Sequence, residues 1–245
     1  VGGVLTGLRL ASHEAVIIAD DDVRYDDVSL AQVVTALTTA DVVRPQNYFQ
    51  PLPWHARWDS GRMLLNRLTG GDWPGTLGLR RSRLQQTNGY DGSVMFENLE
   101  LVRTVVAGGG RGTVLAGAAV LRRPSSARHF WSQRVRQAYD EIARPVRFAT
   151  QLAVLPIVVV LAVTGQWLAI VIGVAAITLA AEIGRRRERA TRFFPVGIPF
   201  FSPLWAAERA LCSWLALSAR IFLGGVPYRG AILHHAATPM RVLRQ

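Results

Sequence analysis

Apolar residues follow two regimes along this chain. From Val1 to about Pro145, short apolar runs alternate with polar ones at ordinary charge density. This part predicts a helix over 2–12, an apolar strand over Ala15 to Ala19 that ends in Asp20-Asp21-Asp22, a helix over 29–39 and a strand around 41–45. A Gly-rich stretch (69–78), a turn at Asn88-Gly89-Tyr90-Asp91-Gly92 and a helix from about Asn98 to Ala107 follow. The alternation of strands and helices is that of an α/β unit, with no internal repeat and no low-complexity linker.

The second regime begins at Arg147. From there to Glu182 the chain has no Asp, Glu, Lys or Arg across residues 148–181, and Leu, Val, Ile and Ala dominate. One helix of that length would run ~51 Å, well beyond the ~30 Å hydrocarbon core of a bilayer. Two spans joined at Gly165-Gln166 fit better, at about 148–164 and 167–181 with room to extend to Gly184. The run Arg185-Arg186-Arg187-Glu188-Arg189, then Arg192, follows directly. Basic loops stay on the cytoplasmic side, and a two-span hairpin returns to the side it left, so the α/β unit is expected to face the cytoplasm. Residues 193–226 are apolar but interrupted by Pro195, Pro199 and Pro203, and carry Glu208, Arg209 and Arg220. Charges are costly against lipid, so this region reads as a prolyl turn and a partly interfacial helix before the basic tail of Arg229, Arg241 and Arg244. The expected division is an α/β domain (1–145), a transmembrane hairpin (146–184) and a basic loop with an interfacial helix and tail (185–245), in a multi-pass protein of the cell membrane.

Composition alters this picture little. The formal net charge is +11, with 28 basic residues, and all of them are Arg. Such a balance ordinarily raises nucleic acid as a partner; a hydrophobic hairpin argues against it, and the Arg, Ala, Val, Gly and Leu bias reads as coding background. No nucleic-acid partner is expected. The single cysteine, Cys212, leaves no internal disulfide and no cysteine-based zinc cluster. Val1 to Ala11 lacks a charged start followed by a long apolar run, and there is no initiator Met, so the start reads as cut.

Three elements could carry chemistry. Asp20 and Asp22, two apart at the C-terminal end of a strand, stand where open α/β sheets place ligands. They can present oxygens to a hard divalent cation that bridges nucleotide phosphates; the bland alternative is a solvated acidic turn capping the next helix. In Phe96-Glu97-Asn98-Leu99-Glu100-Leu101, Glu97 can deprotonate an acceptor hydroxyl or can simply be a favourable charge at a helix start. In Gln133-Arg134-Val135-Arg136-Gln137, after His129-Phe130-Trp131, an Arg fork can hold a diphosphate, or the segment can be a juxtamembrane basic helix at anionic headgroups. His234-His235 reads as exposed polar residues rather than metal ligands. Trp54 to Trp58 and Asp72-Trp73-Pro74-Gly75 can line an acceptor groove or anchor at an interface.

In this order, ahead of a membrane hairpin, the three elements resemble the membrane-bound family 2 glycosyltransferases of the GT-A fold, which include ceramide-glucosyltransferase-like and cellulose-synthase-like members. That family's pattern is Asp-x-Asp after a strand, an acidic Glu-Asp at the base position, and Gln-x-x-Arg-Trp before the transmembrane helices. Asp20 and Asp22 match the first, Glu97 part of the second, and Gln133 with Arg136 the third; the lead-in from Gly2-Gly3 to Ala11 is similar to the segment before the metal motif. The resemblance implies a partial GT-A (Rossmann-like) α/β domain followed by transmembrane and interfacial helices. It implies inverting, metal-dependent transfer from a nucleotide diphosphate-sugar to a hydroxyl acceptor, lipid or glycan, at the cytoplasmic membrane face. In it, Mg²⁺ or Mn²⁺ sits on Asp20 and Asp22, the donor contacts Asp20, Asp21, Gln133 and Arg136, and Glu97 is the base. Asn98 stands where Asp is usual, which leaves Glu97 or else Glu100 as base, and Gln137 replaces the Trp of the third motif, against processive polymer synthesis. The family's N-terminal strands, which hold most of the nucleoside, have no counterpart here. The alternative from another class is a non-catalytic membrane scaffold derived from such a transferase.

Overall fold

The computed structural model describes residues 2–87, 97–228, 231–238 and 240–243. The expected turn at 88–92, Phe96 and the tail residues Arg229 and Arg244 lie outside the described residues, as do the side chains of Glu97 and Arg241. In chain order the elements open with α1 (Gly2–Leu10), β1 (Ala15–Ala19), β2 (Val23–Arg24), α2 (Asp27–Ala36), β3 (Val42–Phe49), α3 (Trp54–Leu68) and β4 (Thr76–Arg80). Then come α4 (Arg81–Gln85), α5 (Glu97–Ala107), β5 (Gly112–Arg122), α6 (Ala127–Ser132), α7 (Arg134–Tyr139), a 3₁₀ turn (Asp140–Ala143), α8 (Pro145–Val163) and α9 (Trp167–Arg186). Two 3₁₀ turns (Arg187–Arg192, Ile198–Phe201), α10 (Ser202–Leu223), the hairpin β6 (Val226–Tyr228) and β7 (Ala231–Leu233), and α11 (Met240–Leu243) complete the chain.

These elements group into two compact units. The first comprises Val1–Gln50, Gly71–Arg123 and Ala237–Gln245; the second comprises Pro51–Gly70 and Pro124–Ala236.

The first unit is an α/β fold on a mixed five-stranded sheet in the order β1-β4-β3-β5-β2, in which the neighbours β3 and β5 pair in parallel and the other neighbouring pairs are antiparallel. Successive strand residues face opposite sides of a sheet, and the core follows that period of two. Val42, Leu77 and Leu79 pack on one face with Leu8, Leu84, Leu101 and Val105 from the helices, whereas the adjacent Val43 packs on the other with Val33 and Leu37 of α2. The α2 start is fixed by a capping box: Asp26 accepts from the Ser29 N–H at 2.7 Å, and Ser29 Oγ accepts from the Asp26 N–H at 3.2 Å. Two strands differ from expectation for identifiable reasons. β3 continues past Pro45 because the missing proline N–H is absorbed in a register shift between Arg44 and Gln46. β4 lies at the end of the Gly-rich stretch because Gly78 admits α2: a Cβ there would stand 2.5 Å from Val33 Cγ1.

The second unit is helical. Its two longest apolar helices are α8 and α9, each long and apolar enough to cross a bilayer by length and composition. They are joined at Gly165, whose φ of +72° suits a residue without a side chain. Val158, Val159, Val160, Val171 and Ile172 are among the large apolar side chains they expose. α10 begins at Ser202 directly after the prolyl turn and turns two of its three charges inward: Arg209 is 2% exposed, and the Glu208 carboxylate pairs with Arg134, while Arg220 is exposed.

Candidate functional site

In the first unit, β1 delivers its acidic triplet beyond the last paired residue, Ala19, which lies opposite Thr76 of β4. The Asp20 N–H donates to the Gly75 carbonyl at 2.7 Å and the Val23 N–H to the Asp20 carbonyl at 3.1 Å, so residues 20–23 form a tight turn. On the far edge of the sheet β2 pairs with β5, which sets Val23 opposite Arg122. The Arg122 guanidinium therefore reaches back into the turn and bridges its acids, with Nη2 3.0 Å from Asp20 Oδ2 and Nε 2.9 Å from Asp22 Oδ2. Gly75 closes the arrangement from below; a Cβ there would lie 2.4 Å from Asp20 Oδ2 and 3.0 Å from Arg122 Cζ. Asp21 is exposed, and its carbonyl accepts from Arg24 Nη1 at 2.7 Å.

Helix capping does not explain these acids, because Asp26 holds that role for α2. Their convergence leaves two carboxylates against one guanidinium. Among the described residues, Asp22 Oδ1 is buried with no hydrogen-bond partner, and an acceptor removed from water without a donor is costly. A hard cation would satisfy that oxygen. Among the described residues no group of three or more His, Cys, Asp or Glu side chains gathers to hold a metal; two carboxylates, with phosphate and water supplying the remaining oxygens, is the donor set that Mg²⁺ commonly takes. The residues present thus fit a divalent cation held together with a phosphorylated ligand.

The second sequence element adjoins this turn. Glu97 opens α5, and the next residue, Asn98, donates from Nδ2 to the Pro74 carbonyl at 3.0 Å. Glu100, weighed above as an alternative base, is fully buried, and its Oε2 accepts from Arg103 Nη1 and from the Thr238 N–H, each at 3.2 Å. A carboxylate so enclosed is poorly placed to meet an acceptor hydroxyl.

The third element belongs to the second unit. Gln133 separates α6 from α7 and its amide donates to Ser132 Oγ at 3.2 Å, while Arg136 is half-buried on α7. The residue at the centre of this region is Arg134. It is 2% exposed, its Nη1 lies 3.2 Å from Asp59 Oδ1 and 3.0 Å from Gln137 Oε1, and its Nε lies 3.0 Å from Glu208 Oε2. Gln137 also accepts from Arg209 Nη2 at 3.3 Å, so its amide serves as a shared acceptor for two buried guanidiniums. Burial and the neighbouring Arg62 and Arg134 act oppositely on Asp59, and the arginines win, holding its carboxyl well below the usual range. Phe130, Trp131, Trp54, His55 and Trp58 form an aromatic cluster beside it, in which His55 Nε2 lies 2.7 Å from the Ser125 carbonyl. His234 is tied by its carbonyl to Tyr139 Oη at 2.9 Å.

No family model matches the chain, and no curated protein matches it. Among solved structures it is similar to the mannosyltransferase PcManGT from Pyrobaculum calidifontis, in complex with GDP-Man and Mn²⁺, at 16% identity and a TM-score of 0.47, over 87% of this chain and 66% of that one. The chain thus spans just under two thirds of that structure's length. At such identity and TM-score the likeness transfers no residue's role.

Sequence reasoning passed over Arg122, and weighed Gly75 only within a stretch that could line an acceptor groove or anchor at an interface. Arg122 is the first charge after the uncharged run Val114 to Leu121, at the end of a strand, and Gly75 follows a proline; both signals are present, but only the strand order β5-β2 and the antiparallel register of β1 with β4 bring the two residues to Asp20.

Proposed function

We propose that this chain is part of a glycosyltransferase that moves a sugar from a nucleotide diphosphate-sugar to a hydroxyl acceptor, lipid or lipid-linked, with inversion and in the presence of Mg²⁺ or Mn²⁺. The observation that carries the reading is the convergence of Asp20 and Asp22 on Arg122 at the C-terminal end of β1, with one buried carboxylate oxygen left unsatisfied. Paired carboxylates at a strand end suit a phosphate-bridging cation better than they suit a scaffold, to which two part-exposed acids beside one arginine add little stability. When bound, the cation would neutralise charge on the diphosphate as it leaves. Asp20 and Asp22 would hold it, and Arg122 would fix the two carboxylates in one orientation while offsetting their mutual repulsion.

Other roles rest on the sequence alone. Glu97 is proposed as the base that takes the acceptor's proton, Asp21 as a donor contact, and Gln133 and Arg136 as partners of the diphosphate. The exposed apolar faces of α8 and α9 support a membrane-seated protein, and the basic run after α9 supports a cytoplasmic α/β unit.

Transfer of labelled sugar in detergent micelles containing a lipid hydroxyl acceptor tests the assignment, on this chain and on the chain extended by its native upstream segment. Asp22→Ala and Glu97→Gln should each reduce transfer by ~100-fold or more. Full activity in either variant would remove that residue from its role; absence of transfer by every form, with no nucleotide-sugar bound, would favour the scaffold.

A further inference from the structure

The turn that gathers Asp20 and Asp22 at Arg122 is held by backbone hydrogen bonds from Asp20 to Gly75, from Val23 to Asp20 and from Arg123 to Asp22, and its floor is the Pro74–Gly75 peptide. That peptide belongs to a loop running from Gly71, with φ of +82°, to the start of β4 at Thr76. The loop is fastened at one end by the Asp72 N–H, which donates to Gln46 Oε1 at 2.8 Å, and at the other by Thr76 Oγ1, which donates to the Ile18 carbonyl at 2.7 Å. Between these lies Pro74, which has no N–H to contribute. Its carbonyl is held by the Asn98 amide. One residue further, the Gly75 carbonyl accepts from Asp20, and the Gly75 Cα faces the Asp20 carboxylate and the Arg122 guanidinium.

We propose that Asn98 is a positioning residue of the transfer reaction: its amide ties the first turn of α5, where Glu97 stands, to the peptide that seats Asp20 and Arg122. This rests on the transferase reading above. The chemistry of the tie selects an amide. A carbonyl oxygen has no proton to give, so the group facing it must donate. Asn does so in its neutral form, whereas a carboxylate of the same shape offers only acceptors and would repel the Pro74 oxygen. The side chain at position 98 is therefore turned toward the loop and not toward an acceptor hydroxyl, and it holds two pieces of the site in register rather than taking part in bond making. A displacement of about 1 Å between reacting groups is enough to lose ~100-fold in rate, so a single hydrogen bond at this place governs turnover out of proportion to its effect on stability.

Asn98→Asp and Asn98→Ala separate this role from the others. Both variants should lower kcat by roughly 10- to 100-fold while the KM for the nucleotide-sugar changes less than about twofold, because no donor contact is removed. If position 98 instead faced the acceptor, a carboxylate there would act as a base and Asn98→Asp would transfer as fast as the parent or faster, which overturns the proposal; unchanged kcat in Asn98→Ala overturns it equally. Hydrogen exchange supplies a readout independent of activity. Peptides covering residues 15–24 and 97–103 should exchange faster in both variants with the melting temperature little changed, and unaltered exchange would show that the tie does not hold the turn. If the unsubstituted protein transfers no sugar, the transferase reading falls and the positioning role falls with it, while the exchange data still decide whether the tie exists.

Discussion

Asp140 is the residue whose protonation the fold has altered most usefully for experiment. It lies in the 3₁₀ turn that follows α7 and is 7% exposed. Burial pushes its carboxyl from an ordinary 3.8 up to about 7, against the opposing pull of Arg136 and Arg209 and with Glu141 adding to the rise. The native state therefore holds a proton that the unfolded chain releases at lower pH, and stability declines as pH climbs from about 4 to about 7 before levelling. Asn, which never ionises, removes that decline. Asp140→Asn should gain stability relative to the parent as pH rises, by a few kcal/mol between pH 4 and 8, read as a widening gap in melting temperature in detergent. A gap that stays constant over this range would mean that Asp140 ionises normally.

At the scale of elements, the helical unit depends on glycines that permit close approach. Gly184 of α9 packs on α3 so tightly that a Cβ would stand 2.1 Å from the Leu64 carbonyl oxygen, and at Gly61 of α3 a Cβ would stand 2.9 Å from the backbone at Phe201 and Ser202. Backbone cannot yield as a side chain tip can. Gly184→Ala should cost ~1–3 kcal/mol, whereas Gly173→Ala on the same helix, with nothing within 4 Å of the added carbon, should cost nothing; equal melting temperatures for the two variants would contradict the packing described. The contrast explains what was legible beforehand. The strand at 15–19, the helices near 29–39 and 98–107 and the Gly165-Gln166 hairpin announce themselves by local pattern, since apolar period and turn chemistry act over neighbours in sequence. β4 looked like part of a Gly-rich loop, and β3 looked complete at Pro45, because the partners that stabilise them, α2 and β5, are remote in sequence. In the same way the Asp20 and Asp22 pair was readable as a motif, but Arg122, about a hundred residues on, was not. The capping alternative for those acids falls away only with the structure, in which Asp26 is the cap of α2.

For the molecule as a whole, the two units divide the chemistry. The α/β unit gathers the acids, their arginine and the Asn98 tie, while the helical unit exposes apolar faces on α8 and α9 and encloses a charged network around Arg134. Buried charges in such a network are costly unless each is matched, which is why Arg134 is met by Asp59, Gln137 and Glu208 together. The central claim concerns the first unit: that Asp20 and Asp22 hold a divalent cation together with a nucleotide diphosphate-sugar. Calorimetric titration of nucleotide diphosphate-sugars into the detergent-solubilised protein, on this chain and on the chain with its native upstream segment, with and without Mn²⁺, tests it most directly. The account predicts saturable binding that requires Mn²⁺ and disappears in Asp22→Ala; binding that is unchanged by Mn²⁺ or by loss of the carboxylate, or no binding in either form, would contradict it.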